Sequence, residues 1–241
     1  MTRPNGIAPE DLKILLTSST DLVELVRRYL WMLTLPTFHP SIEHRVSKIA
    51  GKGIHATKRI AAGEILVVEN GPIVDQRTID IVHAAGYECE LRVGWGLYSL
   101  HRPVHSDNEG GYINHSCAPN AGLIDMRTFA AVRDIEAGEE VTCDYGTFET
   151  ESGWELQCSC GTPHCRGTVT GKDYRLPDLK RRMGQYFAPY LRDPTVTKKL
   201  RNEHFPLSPE LDALDDPAQR QQEEDVDNLL NLWKDLPEGA R

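Results

Sequence analysis

Three cysteines fall within the eight residues Cys158-Ser159-Cys160-Gly161-Thr162-Pro163-His164-Cys165, and no other feature restricts the folding of this 241-residue chain so tightly. Gly161 and Pro163 bend the backbone between the thiols, giving a knuckle that turns several sulfurs toward one point. Zinc takes four tetrahedral ligands with Zn–S distances of ~2.3 Å, so three cysteines need a fourth partner. His164 is the local candidate and Cys117, in a turn-rich segment of its own, the distant one. The competing reading is three buried thiols without a metal, but turn-rich segments seldom bury cysteines so densely without a ligand.

Compartment bears on that choice. No apolar run approaches the ~18 residues of a membrane helix, and the opening Met-Thr-Arg-Pro-Asn-Gly lacks the apolar stretch of a signal peptide, so the protein is expected inside the cell and off membranes. There, six cysteines are better read as thiols or metal ligands than as a disulfide framework. A net charge of −9 disfavours direct binding to nucleic acid and favours a basic peptide partner. With 39% hydrophobic residues the chain can bury a core, which excludes disorder for its bulk.

Periodicity divides the chain into three regimes. From Pro9 to Leu35 apolar residues recur at helical spacing and predict two amphipathic helices, with Ser19, Thr20 and Asp21 offering an N-cap between them; Pro36 and Pro40 end the region. From about Arg45 to Gly167, short β-rich runs alternate with turns such as Ala62-Gly63-Glu64 and Ala137-Gly138-Glu139, which predicts a mostly β domain. Ile79 to Cys89 is expected as a short helix inside it and Val104 to Gly111 as a polar loop. After Gly171 the period is helical again, with Leu179, Met183, Tyr186, Phe187, Tyr190 and Leu191 on one face and a stop at Asp193-Pro194. The acid-rich stretch from Ser208 carries Val226, Leu229, Leu230 and Trp233 at helical spacing and predicts one more helix, packed on the core or docked on a partner.

Two further segments hold chemistry. Tyr112-Ile113-Asn114-His115-Ser116-Cys117-Ala118-Pro119-Asn120 offers a thiol and an imidazole, but residues two apart on an extended chain rarely make a nucleophile and its base. Gly138-Glu139-Glu140-Val141-Thr142-Cys143-Asp144-Tyr145-Gly146 is a turn, a strand and a terminal tyrosine, which alone proves nothing. Together, and in this order, these segments and the knuckle resemble the SET-domain protein lysine methyltransferases. Lys52-Gly53-Ile54-His55-Ala56 is similar to that family's opening Gly-x-Gly motif, Tyr112 to Asn120 to its Asn-His-Ser-Cys-x-Pro-Asn signature, Gly138 to Gly146 to its Asp-Tyr signature, and Cys158 to Gly167 to its post-SET zinc knuckle.

The resemblance implies an α+β class, a mostly β SET fold of several small sheets with a pseudoknot and helical extensions at both termini. The expected units are a helical extension over 1–40, a SET domain over 41–148, the knuckle over 149–170 and an acidic helical extension over 171–241. It also implies methyl transfer from S-adenosylmethionine to a lysine of a protein substrate, with Tyr145 catalytic. Lys52, Gly53, Ile54, Tyr112, Asn114, His115 and Leu156 would bind the cofactor, and Tyr98 and Cys143 would line the substrate channel. The pseudoknot would carry Cys117 to Cys158, Cys160 and Cys165 to hold Zn2+. Trp95 shares with Tyr98 the insert that lines the peptide groove in this family. Three departures stand out. Cys143 replaces a phenol that limits how many methyl groups fit, Gly110-Gly111 replaces a basic cofactor contact, and no cysteine cluster precedes Arg45, so histone specificity does not follow. The alternative is a catalytically weak SET-fold module stabilised by zinc for protein interaction.

Overall fold

The structure is a computed structural model and describes residues 22–103, 113–193 and 195–205. The first predicted N-terminal helix, the loop from Val104, Tyr112 and the acidic C-terminal helix lie outside these residues.

Short β-prone runs set off by turns produce small sheets. In the first, β4 (Ile65–Val68) lies between β1 (Thr37–Phe38) and β10 (Thr128–Ala131), and β9 (Ala121–Leu123) follows β10, all antiparallel. In the second, β2 (Ile42–Val46) pairs with β3 (Lys52–Ala56), and β3 with β11 (Glu140–Cys143). The other edge of β11 takes β8 (Asn114–His115) in parallel, with Thr142 opposite Asn114 and Cys143 opposite His115. A third sheet joins β5 (Ile73–Asp75), β7 (Leu97–Leu100) and β6 (Glu90–Gly94). The ribbon of β12 (Glu155–Gln157) and β13 (Thr168–Thr170) brackets the knuckle. The result is several small sheets with a few helices, the mostly β architecture expected of the middle of the chain.

The helices follow the apolar pattern with local revisions. α1 (Leu22–Met32) turns Val26, Tyr29 and Leu30 inward. α2 (Gln76–Ala84) begins three residues before the predicted Ile79, because Asp75 accepts a hydrogen bond from the Thr78 amide at 3.0 Å and caps it there. The helical face expected after Gly171 is not one helix. It breaks into α3 (Pro177–Met183), a 3-10 turn at Gly184–Tyr186 and α4 (Pro189–Arg192). Gly184 adopts φ 35° and Pro189 has no amide to continue the ladder. Leu179, Met183, Phe187, Tyr190 and Leu191 are buried nonetheless. α5 (Thr195–His204) was not foreseen: of its ten residues only Thr197 and Leu200 are buried, too sparse a stripe to stand out.

Two apolar clusters result. The larger joins the first two sheets, part of the third and the helices after Pro177, around Ile54, Leu66, Phe129, Val141, Leu179 and Phe187. The smaller packs α1 on α2 and the third sheet through Val26, Tyr29, Leu30, Ile79, Val82, Tyr98 and Leu100. No helix among the described residues is long and apolar enough to cross a membrane.

Candidate active site

The parallel pairing of β8 with β11 sets the Asn-His segment beside the Cys-Asp-Tyr segment, as Asn120 reinforces. Its Oδ1 accepts from the Thr142 amide at 2.8 Å and its Nδ2 donates to the Glu140 carbonyl at 2.8 Å. Asn114 Nδ2 reaches the carbonyls of Ala50 and Lys52, both at 3.1 Å, and Glu140 Oε1 at 2.7 Å. Gly53 is fixed by that crossing, since a Cβ there would come within 2.3 Å of Glu140 Oε1 and 2.9 Å of Asn114 Nδ2.

These elements bound a cavity of about 690 Å³ whose lining includes Asn114, His115, Cys143, Tyr145, Tyr98 and Leu156. The β3 side contributes Ile49, Ala50, Gly51 and Lys52. Gly53 and Ile54 are not among the lining residues: Ile54 faces the larger core with no exposure, so of the three predicted residues here Lys52 alone lines the cavity, with the residues just before it. Trp95 is also absent from the lining. It turns into the core at 5.6 Å from Tyr190 and 6.1 Å from Tyr174, where its backbone amide donates to Thr197 Oγ1 at 3.2 Å, and so anchors α5 instead of a groove.

Tyr145 opens a 3-10 turn, Tyr145–Thr147. Its hydroxyl donates to the Ile113 carbonyl at 2.9 Å, and its ring sits 5.5 Å from Phe148, 5.4 Å from His115 and 6.1 Å from Trp154. Burial raises its pKa, so it stays a neutral phenol. Burial likewise raises the Cys143 thiol well above its ordinary value and lowers His115 to about 4. Tyr98 lies under the Arg92 guanidinium, 4.5 Å from ring centre, and its hydroxyl bonds Gln76 Oε1.

The four predicted sulfurs converge. Those of Cys117, Cys158, Cys160 and Cys165 all lie within 4.8 Å of one another, and His164 is outside the group. The Cys117 and Cys158 sulfurs are 3.8 Å apart. Tetrahedral zinc with Zn–S of ~2.3 Å requires sulfur–sulfur edges of about 3.8 Å, so the donor set and its spacing fit zinc. Leu156 and Cys158 of the knuckle also line the cavity, which joins the metal centre to the pocket wall.

Several residues here escaped the sequence reading. Glu140 binds Asn114 and Ser47. Arg92, 5% exposed, meets Glu149 at 2.9 Å and Glu151 at 3.1 Å. Arg166 grips the buried Asp144 with two hydrogen bonds of 2.7 and 2.6 Å. Arg166 directly follows Cys165 and Asp144 directly precedes Tyr145, which was the available signal.

Residues 51–146 match the SET domain family. Over 153 residues the chain is 31% identical to the histone-lysine N-methyltransferase ash1 of Drosophila melanogaster, covering 58% of this chain and 7% of that protein. Over 137 residues it is 36% identical to the H3 lysine-4 specific histone-lysine N-methyltransferase of Yarrowia lipolytica, covering 50% of this chain and 11% of that protein. The chain thus spans a small part of the length of these relatives. A solved structure, described as the crystal structure of KRYPTONITE in complex with mCHG DNA and SAH, matches with a TM-score of 0.40 at 22% identity, over 53% of this chain and 28% of that one.

Proposed function

We propose that this chain, whose residues 51–146 match the SET domain family, is a protein lysine N-methyltransferase that moves a methyl group from S-adenosylmethionine to a lysine side chain of a protein substrate. The observation that carries this is one cavity bounded together by the Asn114-His115 segment, the Tyr145 phenol, Tyr98 and the knuckle residue Leu156. S-adenosylmethionine supplies an electrophilic methyl on a sulfonium. Asn114, His115 and Lys52 form one side of its site and Leu156 another.

The acceptor must be a neutral amine, and a free lysine of pKa ~10.4 needs about 4 kcal/mol to reach that state at pH 7.4. The aromatic surround of Tyr145, Phe148 and Trp154 lowers that cost by stripping water from the ammonium. Tyr145 is already committed as a donor to Ile113, so its oxygen offers lone pairs to the amine and orients it. No strong base is required. Glu88, Glu90, Glu149, Glu151 and Glu155 all line the same cavity, and this acidity suits a basic peptide around the target lysine. Cys143 in the wall is smaller than a phenol and holds water weakly, so the enzyme proceeds beyond monomethylation. The knuckle would hold Zn2+ through Cys117, Cys158, Cys160 and Cys165, and an intracellular setting keeps those thiols reduced.

Labelled S-adenosylmethionine offered with a panel of lysine-bearing proteins tests the reading. Label should enter a lysine, and mass spectra should pass the monomethyl stage. Tyr145→Phe should lower the rate by about 10²–10³-fold with metal content and folding kept. No incorporation into any substrate, or full activity in Tyr145→Phe, would sink the assignment.

A further inference from the structure

The metal centre and the phenol are joined by two separate hydrogen-bonded routes. In the first, the Tyr145 amide donates to His115 Nδ1 at 3.1 Å. That nitrogen is therefore the acceptor of the ring, and the proton of neutral His115 sits on Nε2. Nε2 faces Cys117 Sγ at 3.3 Å. A metal-bound thiolate accepts such a donor well and a free thiol poorly. The same sulfur receives the Arg166 amide, also at 3.3 Å.

The second route leaves from Arg166 itself. Its guanidinium grips both oxygens of Asp144, whose side chain has no exposure, and its Nε lies 2.8 Å from Asp173 Oδ2. Asp144 Oδ1 also accepts from the Gly146 amide at 3.0 Å, so this carboxylate caps the turn that carries Tyr145. If the knuckle loosened, Asp144 would become a buried charge without its counterion.

We propose that His115 and Arg166 are positioning residues that tie the four-sulfur site to Tyr145, so that filling the metal site fixes the direction of the phenol. Both ring nitrogens of His115 are spent on this link, so any contact from this residue to S-adenosylmethionine comes from its main chain. The proposal rests on the methyltransferase reading only for its kinetic consequence.

The test uses the full chain loaded with 113Cd and labelled with 15N-histidine. His115 should be in the Nε2–H form and show a scalar coupling from cadmium to that proton across the N–H···S bond. An Nδ1–H form, or no coupling, overturns the first route, and this readout needs no turnover. With zinc bound, His115→Asn and Arg166→Gln should each lower kcat by about 10–10²-fold. KM for S-adenosylmethionine should stay within about twofold, the pattern of lost orientation rather than lost binding. Should either variant fail to hold metal, Asp144→Asn cuts the second route without touching the knuckle and should give the same kcat loss at full zinc content. Unchanged kcat in the zinc-loaded variants, or a loss confined to KM, overturns the proposal. A wild-type protein that methylates nothing would instead defeat the functional reading and leave the cadmium result to decide the link.

Discussion

Two walls bound the same cavity and are held by different physics. The knuckle wall, with Leu156, Gln157 and Cys158, rests on four sulfurs and on the Arg166, Asp144 and Asp173 ion cluster. The insert wall, with Leu91, Arg92, Tyr98 and His101, is backed by the apolar cluster of α1, α2 and the third sheet. Apolar contacts strengthen in proportion to area and tolerate gradual loss. A metal centre with its ligands is present or absent, because ligand binding there is folding free energy. One wall is therefore expected to fail all at once and the other by degrees.

Removing the metal should have the largest effect. Chelation, or Cys158→Ser, is expected to abolish methyl transfer and open the amides of β12, β13 and the knuckle to hydrogen exchange. The amides of α1 and α2 should keep their protection, since the cluster around Leu30 contains no metal ligand. Simultaneous loss of protection in α1 would show that the two walls are one cooperative unit and break the contrast.

A cavity in the apolar wall should cost less. Leu30 has no exposure and sits among Tyr29, Leu33, Val82 and Leu100, so Leu30→Ala should lower stability by about 2–5 kcal/mol. Zinc stoichiometry should remain intact, and KM for the protein substrate should rise as Tyr98 and Arg92 lose their backing. Loss of zinc in this variant would mean that the walls communicate.

The two walls were also unequally legible. The knuckle could be read because its three ligands are local and their spacing carries the geometry; Cys117 stood as a candidate beside His164, and only the family resemblance chose between them, since nothing in its own neighbourhood names a partner 41 residues away. Arg166 and Asp144 were invisible as a pair, because 27 basic and 36 acidic residues allow too many pairings to single one out. On the other side, the spacing of Val26, Tyr29 and Leu30 announced an amphipathic helix but not what it covers, and an apolar face does not specify its mate. Trp95 was misplaced for the same reason: its size marks it as an anchor, while its turn decides that it packs on Tyr190 rather than in the groove. The small sheets were legible from turn chemistry. The break at Gly184 was not, because the apolar period runs across it unchanged.

The smallest effect distinguishes the walls by the sign of their response to pH. Behind the insert wall, Glu69 is buried, neither carboxylate oxygen has a hydrogen-bond partner among the described residues, and His101 Nε2 stands 3.9 Å away. Burial raises its pKa from 4.5 to about 8, with Arg127 opposing. The unfolded chain therefore releases this proton near pH 4.5 while the folded protein keeps it to about pH 8. Its share of stability is full below pH 4.5 and is lost as pH rises through that window, at up to about 1.4 kcal/mol per unit. The knuckle runs the other way, since its thiols must lose protons to bind metal and weaken in acid. Glu69→Gln has no proton to release, so denaturation midpoints at pH 5.5 and 7.5 should show the variant gaining on the wild type by up to about 2.7 kcal/mol over those two units. Parallel curves would mean that Glu69 is ionised in the fold against Arg127, and that the insert wall holds its charge as the knuckle does.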